Sequence, residues 1–261
     1  GFGDEALLRA VCARARGRWG DFSARQLVSV LYALARLGHR DEALLRAACS
    51  EARGRLGDFE ARGLANLAYA LGLLRFEDPV LLAGLCDHAG PRLSSFRPQE
   101  LSNTVWALGC LLFRHEPFLR AACMEASGRL GDFSSQEITN VVHALERLGF
   151  RHEGLLRALC TALPPRLAEF RAHHVSNVAY ALAAWGIADA AFLRALCVHV
   201  PPRLAEFNAF GISSVAYALA ALAMERRGAR IAVAALAAAP SRAHGGAAGQ
   251  LLALPLAARA G

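Results

Sequence analysis

Phe96-Arg97-Pro98-Gln99-Glu100-Leu101-Ser102-Asn103-Thr104-Val105-Trp106-Ala107-Leu108 is one copy of a pattern that opens at Phe22, Phe59, Phe96, Phe133, Phe170 and Phe207. Successive copies start 37 residues apart, as from Phe22 to Phe59. Self-similarity at a fixed period of this length marks a repeat protein, whose core is a seam running between neighbouring units. Five residues past each Phe stands Leu27, Leu64, Leu101, Ile138, Val175 or Ile212, and seven past it stands Ser29, Asn66, Asn103, Asn140, Asn177 or Ser214. Ten to twelve past come an aromatic or His, then Ala, then Leu, as in Tyr69-Ala70-Leu71 and His143-Ala144-Leu145.

Residues 22–58 show the unit most plainly. Ser23 followed by Gln26 has the form of a capping box, which satisfies the orphan amides at a helix start. Leu27, Val30, Leu34 and Leu37 recur at helical spacing, and Gly38 stops the helix. Asp41 opens a second helix with Leu44, Leu45, Ala48, Cys49 and Ala52 as its apolar stripe. Pro98 falls in a first helical turn, Pro79 and Pro117 start second helices, and Pro164-Pro165 and Pro201-Pro202 end them. The expected fold is all-α: a right-handed α-solenoid of helix–turn–helix hairpins with that 37-residue period. Residues 1–21 match the second half of a unit, residues 22–243 form six units with a degenerate last one, and residues 244–261 are expected to be a flexible Ala/Gly-rich tail.

Composition narrows the chemistry. The 261 residues carry a net charge of +7, and all 29 basic residues are Arg. Each basic contact is therefore a planar, bidentate-capable guanidinium, suited to an anionic partner. Cys12, Cys49, Cys86, Cys123, Cys160 and Cys197 share one repeat position, and Cys110 stands apart. Equivalent sites on stacked helices are roughly 10 Å apart, too far for a disulfide, so these thiols are expected to behave as small buried hydrophobes. The nine His residues form no ligand set, with His173 and His174 expected to point apart on their helix. No zinc spacing, nucleophile elbow or phosphate loop occurs, so neither an enzyme nor a cofactor is expected. The most apolar run, residues 231–239, is too short to span a bilayer, and no membrane contact is expected.

The string from Phe96 to Leu108, echoed by Leu64-Ala65-Asn66-Leu67-Ala68-Tyr69-Ala70-Leu71, resembles the octotricopeptide repeat and its relative the heptatricopeptide repeat. The resemblance covers roughly residues 1–230. It implies an α-solenoid that binds single-stranded RNA in a mitochondrion or chloroplast, in RNA processing, stabilisation or translation, with other proteins of a ribonucleoprotein complex as further partners.

The positions not needed for packing are the candidate readers. The stripe at five, eight, twelve and fifteen past the Phe packs inward, and the Ala at eleven lets helices approach. A polar ridge remains at three, four and seven past. It comprises Arg25, Gln26, Arg62, Asn66, Gln99, Glu100, Asn103, Gln136, Glu137, Asn140, His173, His174 and Asn177. A modular RNA reader needs a constant scaffold with two or three variable side chains per unit, and these side chains can hydrogen-bond base edges. The same ridge also fits a solvated helix end, since Gln26 and Glu137 suit caps, and the Asn column suits a bond to the neighbouring helix. A peptide-binding scaffold of armadillo or tetratricopeptide type is the alternative. The Arg18, Arg55, Arg92, Arg129, Arg166 and Arg203 column is expected to complement second-helix dipoles, and Arg9, Arg46, Arg120, Arg157 and Arg194 to form an outer solvated face.

Overall fold

The computed structural model describes residues 5–223. Twelve α-helices follow one another there, and no strand occurs among the described residues. First helices of the units are α2 (Ala24–Leu37), α4 (Ala61–Leu74), α6 (Pro98–Leu111), α8 (Ser135–Arg147), α10 (Ala172–Ala184) and α12 (Ala209–Ala223). Second helices are α1 (Glu5–Arg16), α3 (Glu42–Gly54), α5 (Pro79–Ala89), α7 (Glu116–Gly128), α9 (Glu153–Ala162) and α11 (Ala190–His199). First helices stack on first helices and second on second, which makes a two-layer α-solenoid. The expected degenerate last helix and tail, from residue 224 onward, lie outside the described residues.

The caps follow the sequence signals. Ser23 and Ser134 accept from the amides of Gln26 and Glu137, and those side chains fold back onto Ser23 N and Ser134 N at 2.8 Å each. Second helices are capped by Asp41, Asp78 and Asp189, and in two units by the Nδ1 of His115 and His152. These two His residues are thus structural acceptors rather than loop residues. The first helices end on a left-handed residue: Gly38, Arg75 and Leu112, with φ of 65°, 48° and 54°. At the last two a side chain occupies a conformation that favours Gly.

The layers are held together differently. Phe59, Phe96, Phe133 and Phe170 are buried, as are the Leu columns and Cys12, Cys49, Cys86 and Cys123. All seven Cys are free, and burial pushes Cys49, Cys86 and Cys123 up to about 12, so they are neutral packing groups. Between first helices the backbones almost touch. A Cβ added at Gly109 would lie 2.7 Å from Ala144 Cβ, and one at Gly72 would lie 2.9 Å from Ala107 Cα. Ala at eleven past the Phe therefore does bring neighbouring helices together. The second helices meet one another less extensively and pack also on the short 3-10 turns that join the units. Leu37 departs from the expected buried stripe at 55% exposed, because α2 has a first-helix neighbour on only one side among the described residues.

The repeated Arg at the end of each second helix does more than face a dipole. Arg55 donates to the Phe22 carbonyl (2.9 Å), Arg92 to Phe59 O (3.0 Å), Arg166 to Phe133 O (2.7 Å) and Arg203 to Phe170 O (2.9 Å). Each guanidinium staples its unit to the carbonyl where the previous unit turns into its first helix. A charged donor on a partly buried carbonyl is among the stronger hydrogen bonds available to a protein. Neither Arg18 nor Arg129 forms this staple; they pair with Asp21, and with Glu125 and Asp132.

Candidate nucleic-acid interface

One stripe of each first helix faces away from the second layer. Residues three, seven, ten and fourteen past the Phe fall on it, since these spacings repeat with the helical turn. The outermost column is Arg25, Arg62, Gln99, Gln136 and His173, all exposed, followed by Phe210 at 67% exposed. The side chains of Arg25, Arg62 and Gln99 make no hydrogen bond or ion pair among the described residues.

Asn66, Asn103, Asn140 and Asn177 form the next column, and each is half-buried. The bond to a neighbouring helix that would explain them structurally is absent. Asn140 accepts from Gln136 Nε2 at 3.2 Å on its own helix. The amides of Asn66, Asn103 and Asn177 have no protein partner, yet their polar atoms still reach solvent, since none is fully enclosed. Partly desolvated amides without a partner are uncommon in a folded protein, and a ligand edge offers what they lack.

The four-past column corrects the expectation drawn from sequence. Gln26, Glu100 and Glu137 are not free to read anything, because each folds back on the backbone amide three residues earlier; for Glu100 this is Arg97 N at 2.9 Å. This column is the third position of the helix, where an acceptor side chain is drawn to the orphan amides. His174 is buried at 3% exposed, with its Nε2 3.2 Å from Gln136 Oε1 across the α8–α10 seam and its Nδ1 without a partner. Burial first, then His173 and Arg171, hold it down to about 4, so it is neutral. It does not point away from His173 either, since the two rings lie 4.0 Å apart. His174, Gln136 and Asn140 thus satisfy one another, and only the exposed edges of the last two remain available.

The ten-past aromatics, which the sequence reading left out of the polar ridge, lie on the same stripe as the Asn column. Tyr32, Tyr69, Trp106, His143 and Tyr180 are half-buried and Tyr217 is exposed. Their rings form a ladder, with centroids 6.3 Å apart for Tyr32–Tyr69, 5.0 Å for Tyr69–Trp106 and 5.5 Å for Tyr180–Tyr217. The signal was present: three, seven and ten past is a single helical stripe. It was masked because an aromatic followed by Ala-Leu also suits a core.

The charge is segregated between layers. Every ion pair among the described residues lies on second helices or their flanking segments, including Arg16–Asp41 at 3.2 Å and Arg53–Asp78 at 3.5 Å between successive units. Arg25, Arg36, Arg62 and Arg147 on the first helices have none, and Arg36 only donates to Tyr32 Oη at 3.3 Å. Arg120, Arg157 and Arg194 are exposed on second helices, as expected of an outer face. Groups of His, Cys, Asp and Glu able to hold a metal are absent among the described residues. No helix there is long and apolar enough to cross a membrane.

Fold and face together define the class, an α-solenoid whose first-helix layer presents unneutralised arginines, open amides and a ring ladder. A family model for the RNA-editing substrate-binding complex 6 protein matches residues 49–179, and this chain belongs to that family. The matched stretch runs from α3 into α10 and contains all four asparagines of the open column. No curated protein matches the chain. A helical-repeat protein of an RNA-related family is the coarser part of what the octotricopeptide-like string implied.

Proposed function

We propose that this protein binds single-stranded RNA with sequence preference along its first-helix face, as a component of an RNA-editing or RNA-processing complex. The observation that carries the reading is the column of Asn66, Asn103 and Asn177, three half-buried amides without partners at equivalent places. They stand beside side chains that change from unit to unit: Arg62, Gln99 and His173. The narrower kinship with octotricopeptide and heptatricopeptide proteins, and work in a mitochondrion or chloroplast on RNA processing, stabilisation or translation, belong to the same proposal. They rest on the repeat string alone. No catalytic step and no cofactor form part of it. Protein partners of the complex would meet the second-helix side, where Val80, Met124 and Val198 are about two-thirds exposed (65%, 64% and 66%).

Fluorescence anisotropy with a randomised single-stranded RNA pool tests it. Binding should weaken steeply as salt rises, with a log–log slope of about −0.7 for each phosphate neutralised. Replacing Asn66, Asn103 and Asn177 together by Ala should weaken binding while the melting temperature holds. Absence of binding at roughly 50 mM salt would rule the reading out and favour a protein-only scaffold.

A further inference from the structure

The α8 unit departs from its neighbours at three columns at once. At ten past the Phe it has His143, and neither Trp106 on α6 nor Tyr180 on α10 makes a ring contact with it, so the ladder breaks there. At thirteen past, where the other units have Ala35, Gly72, Gly109, Ala183 and Ala220, it has Glu146. At fourteen past it has Arg147, exposed and without an ion pair. Gly72 and Gly109 are the residues through which neighbouring first helices nearly touch. Glu146 stands in that place at the α8–α10 seam, where the two helices meet less extensively than the adjoining pairs do.

Glu146 is half-buried and its carboxylate has no hydrogen bond or ion pair among the described residues. Burial pushes its pKa up and Arg147 pulls it back, while burial first and then the Glu146 charge raise the pKa of Tyr180 across the seam. His143 is likewise half-buried and without a hydrogen bond, and its pKa is lowered by burial and by Arg147. Every other ring of this column lies against at least one neighbouring ring, and the His143 ring lies against none. In the same unit the usual reader, Gln136, is tied to Asn140 and His174. The free polar chemistry of this unit is therefore a carboxylate one helical turn from an unstacked ring, with a cation next to it in sequence.

Resting on the RNA-binding reading above, we propose that the break in the ring ladder at His143 is a guanine-binding site, formed by His143, Glu146 and Arg147 of α8 with Tyr180 across the seam to α10. Guanine presents two adjacent donors, N1–H and the 2-amino group, which match the two oxygens of one carboxylate. Uracil presents a single donor flanked by carbonyls that repel a carboxylate, and adenine presents only its amino group. The base stacks on the ring face left open at the break, a contact of the kind that holds single-stranded bases. Arg147 faces the phosphate.

The test uses three oligoadenylates of about 15 nucleotides, with guanine, inosine or adenine at the centre. Inosine keeps N1–H but lacks the 2-amino group. Wild-type protein should bind the guanine oligomer about tenfold tighter than the adenine one, with inosine between. In Glu146→Ala, which installs the residue found at three equivalent positions, the three affinities should converge, as they should in the near-isosteric Glu146→Gln. Circular dichroism confirms that both variants fold. A guanine preference that survives in both variants, or equal wild-type affinity for all three oligomers, overturns the site and leaves the RNA-binding reading standing. Wild-type protein that binds none of them overturns the site, and one that ignores the randomised pool as well overturns the RNA-binding reading with it.

Discussion

The two layers are made from the same residue budget and differ in almost every physical respect. In the second-helix layer the charges cancel: Arg16 meets Asp41, Arg53 meets Asp78, and Arg46 meets Glu42 on its own helix. In the first-helix layer, backbones approach through Gly and Ala, and the arginines Arg25, Arg62 and Arg147 form no ion pair among the described residues. Exposed ion pairs add little stability, so neutralising the outer layer matters mostly for what it does not attract. A first-helix layer whose arginines are unpaired concentrates positive potential along that face, which suits a polyanion. The lesson is that in a solenoid the packing problem and the binding problem are solved on different helices of each pair.

The same substitution placed on each layer tests the contrast most strongly. Gly109→Ala puts a methyl group against the Ala144 backbone, 2.8 Å from its Cα, and should destabilise by about 2–3 kcal/mol in denaturant titration. Gly128→Ala at the end of α7 has nothing within 4 Å and should be neutral or stabilise slightly, by about 0.5 kcal/mol. Equal effects would mean that the first helices are not the close-packed layer.

Arginines divide in the same way. Arg166→Ala removes the donors to Phe133 O and Leu130 O and should cost about 2 kcal/mol, with little direct effect on RNA affinity. Arg62→Ala should leave the melting temperature where it is and weaken RNA binding. A reversed pattern would exchange the roles of staple and reader.

Acid should find the weak seam at His174. Its folded pKa, about 4, lies below the ordinary 6.5, so between these values the unfolded chain binds the extra proton. Stability is therefore full above about pH 6.5 and declines as pH falls toward 4. His174→Gln offers the capping acceptor that Gln26 supplies in its unit, and should flatten the melting-temperature profile in this window. An unchanged profile would place the acid-sensitive group elsewhere. A smaller effect is expected at the loop edge, where Leu112→Gly relieves a φ of 54° and should stabilise by about 1 kcal/mol.

Most of the fold was legible in the sequence because the fold is periodic. The Phe, Leu and Ala columns, the Ser23 and Ser134 boxes and the Asp41 cap each depend on local chemistry that every copy restates. The candidate site was legible only in part. Gln26, Glu100 and Glu137 are polar and variable, as readers should be, but their place at the third helical position commits them to caps. His174 looked exposed by its type and is buried by its seam, because which side of a helix meets the next unit depends on the stacking angle. Trp106 was left out of the ridge because half-buried rings on a solvent-facing stripe have the same sequence signature as buried ones. Glu146 was passed over because one departure in a column of Gly and Ala looks like noise until the neighbouring backbone is seen to touch that column at Gly72 and Gly109.

The central claim is that the unpartnered amides of the first-helix layer hold RNA. Anisotropy of a single-stranded RNA pool, titrated against wild-type protein and against the Asn66, Asn103 and Asn177 triple Ala variant at two salt concentrations, tests it most directly. The account predicts salt-sensitive binding by the wild type and affinity at least about tenfold weaker in the variant, with unchanged melting temperature. Equal affinities, or a variant that unfolds because those amides were holding helices together, would contradict it.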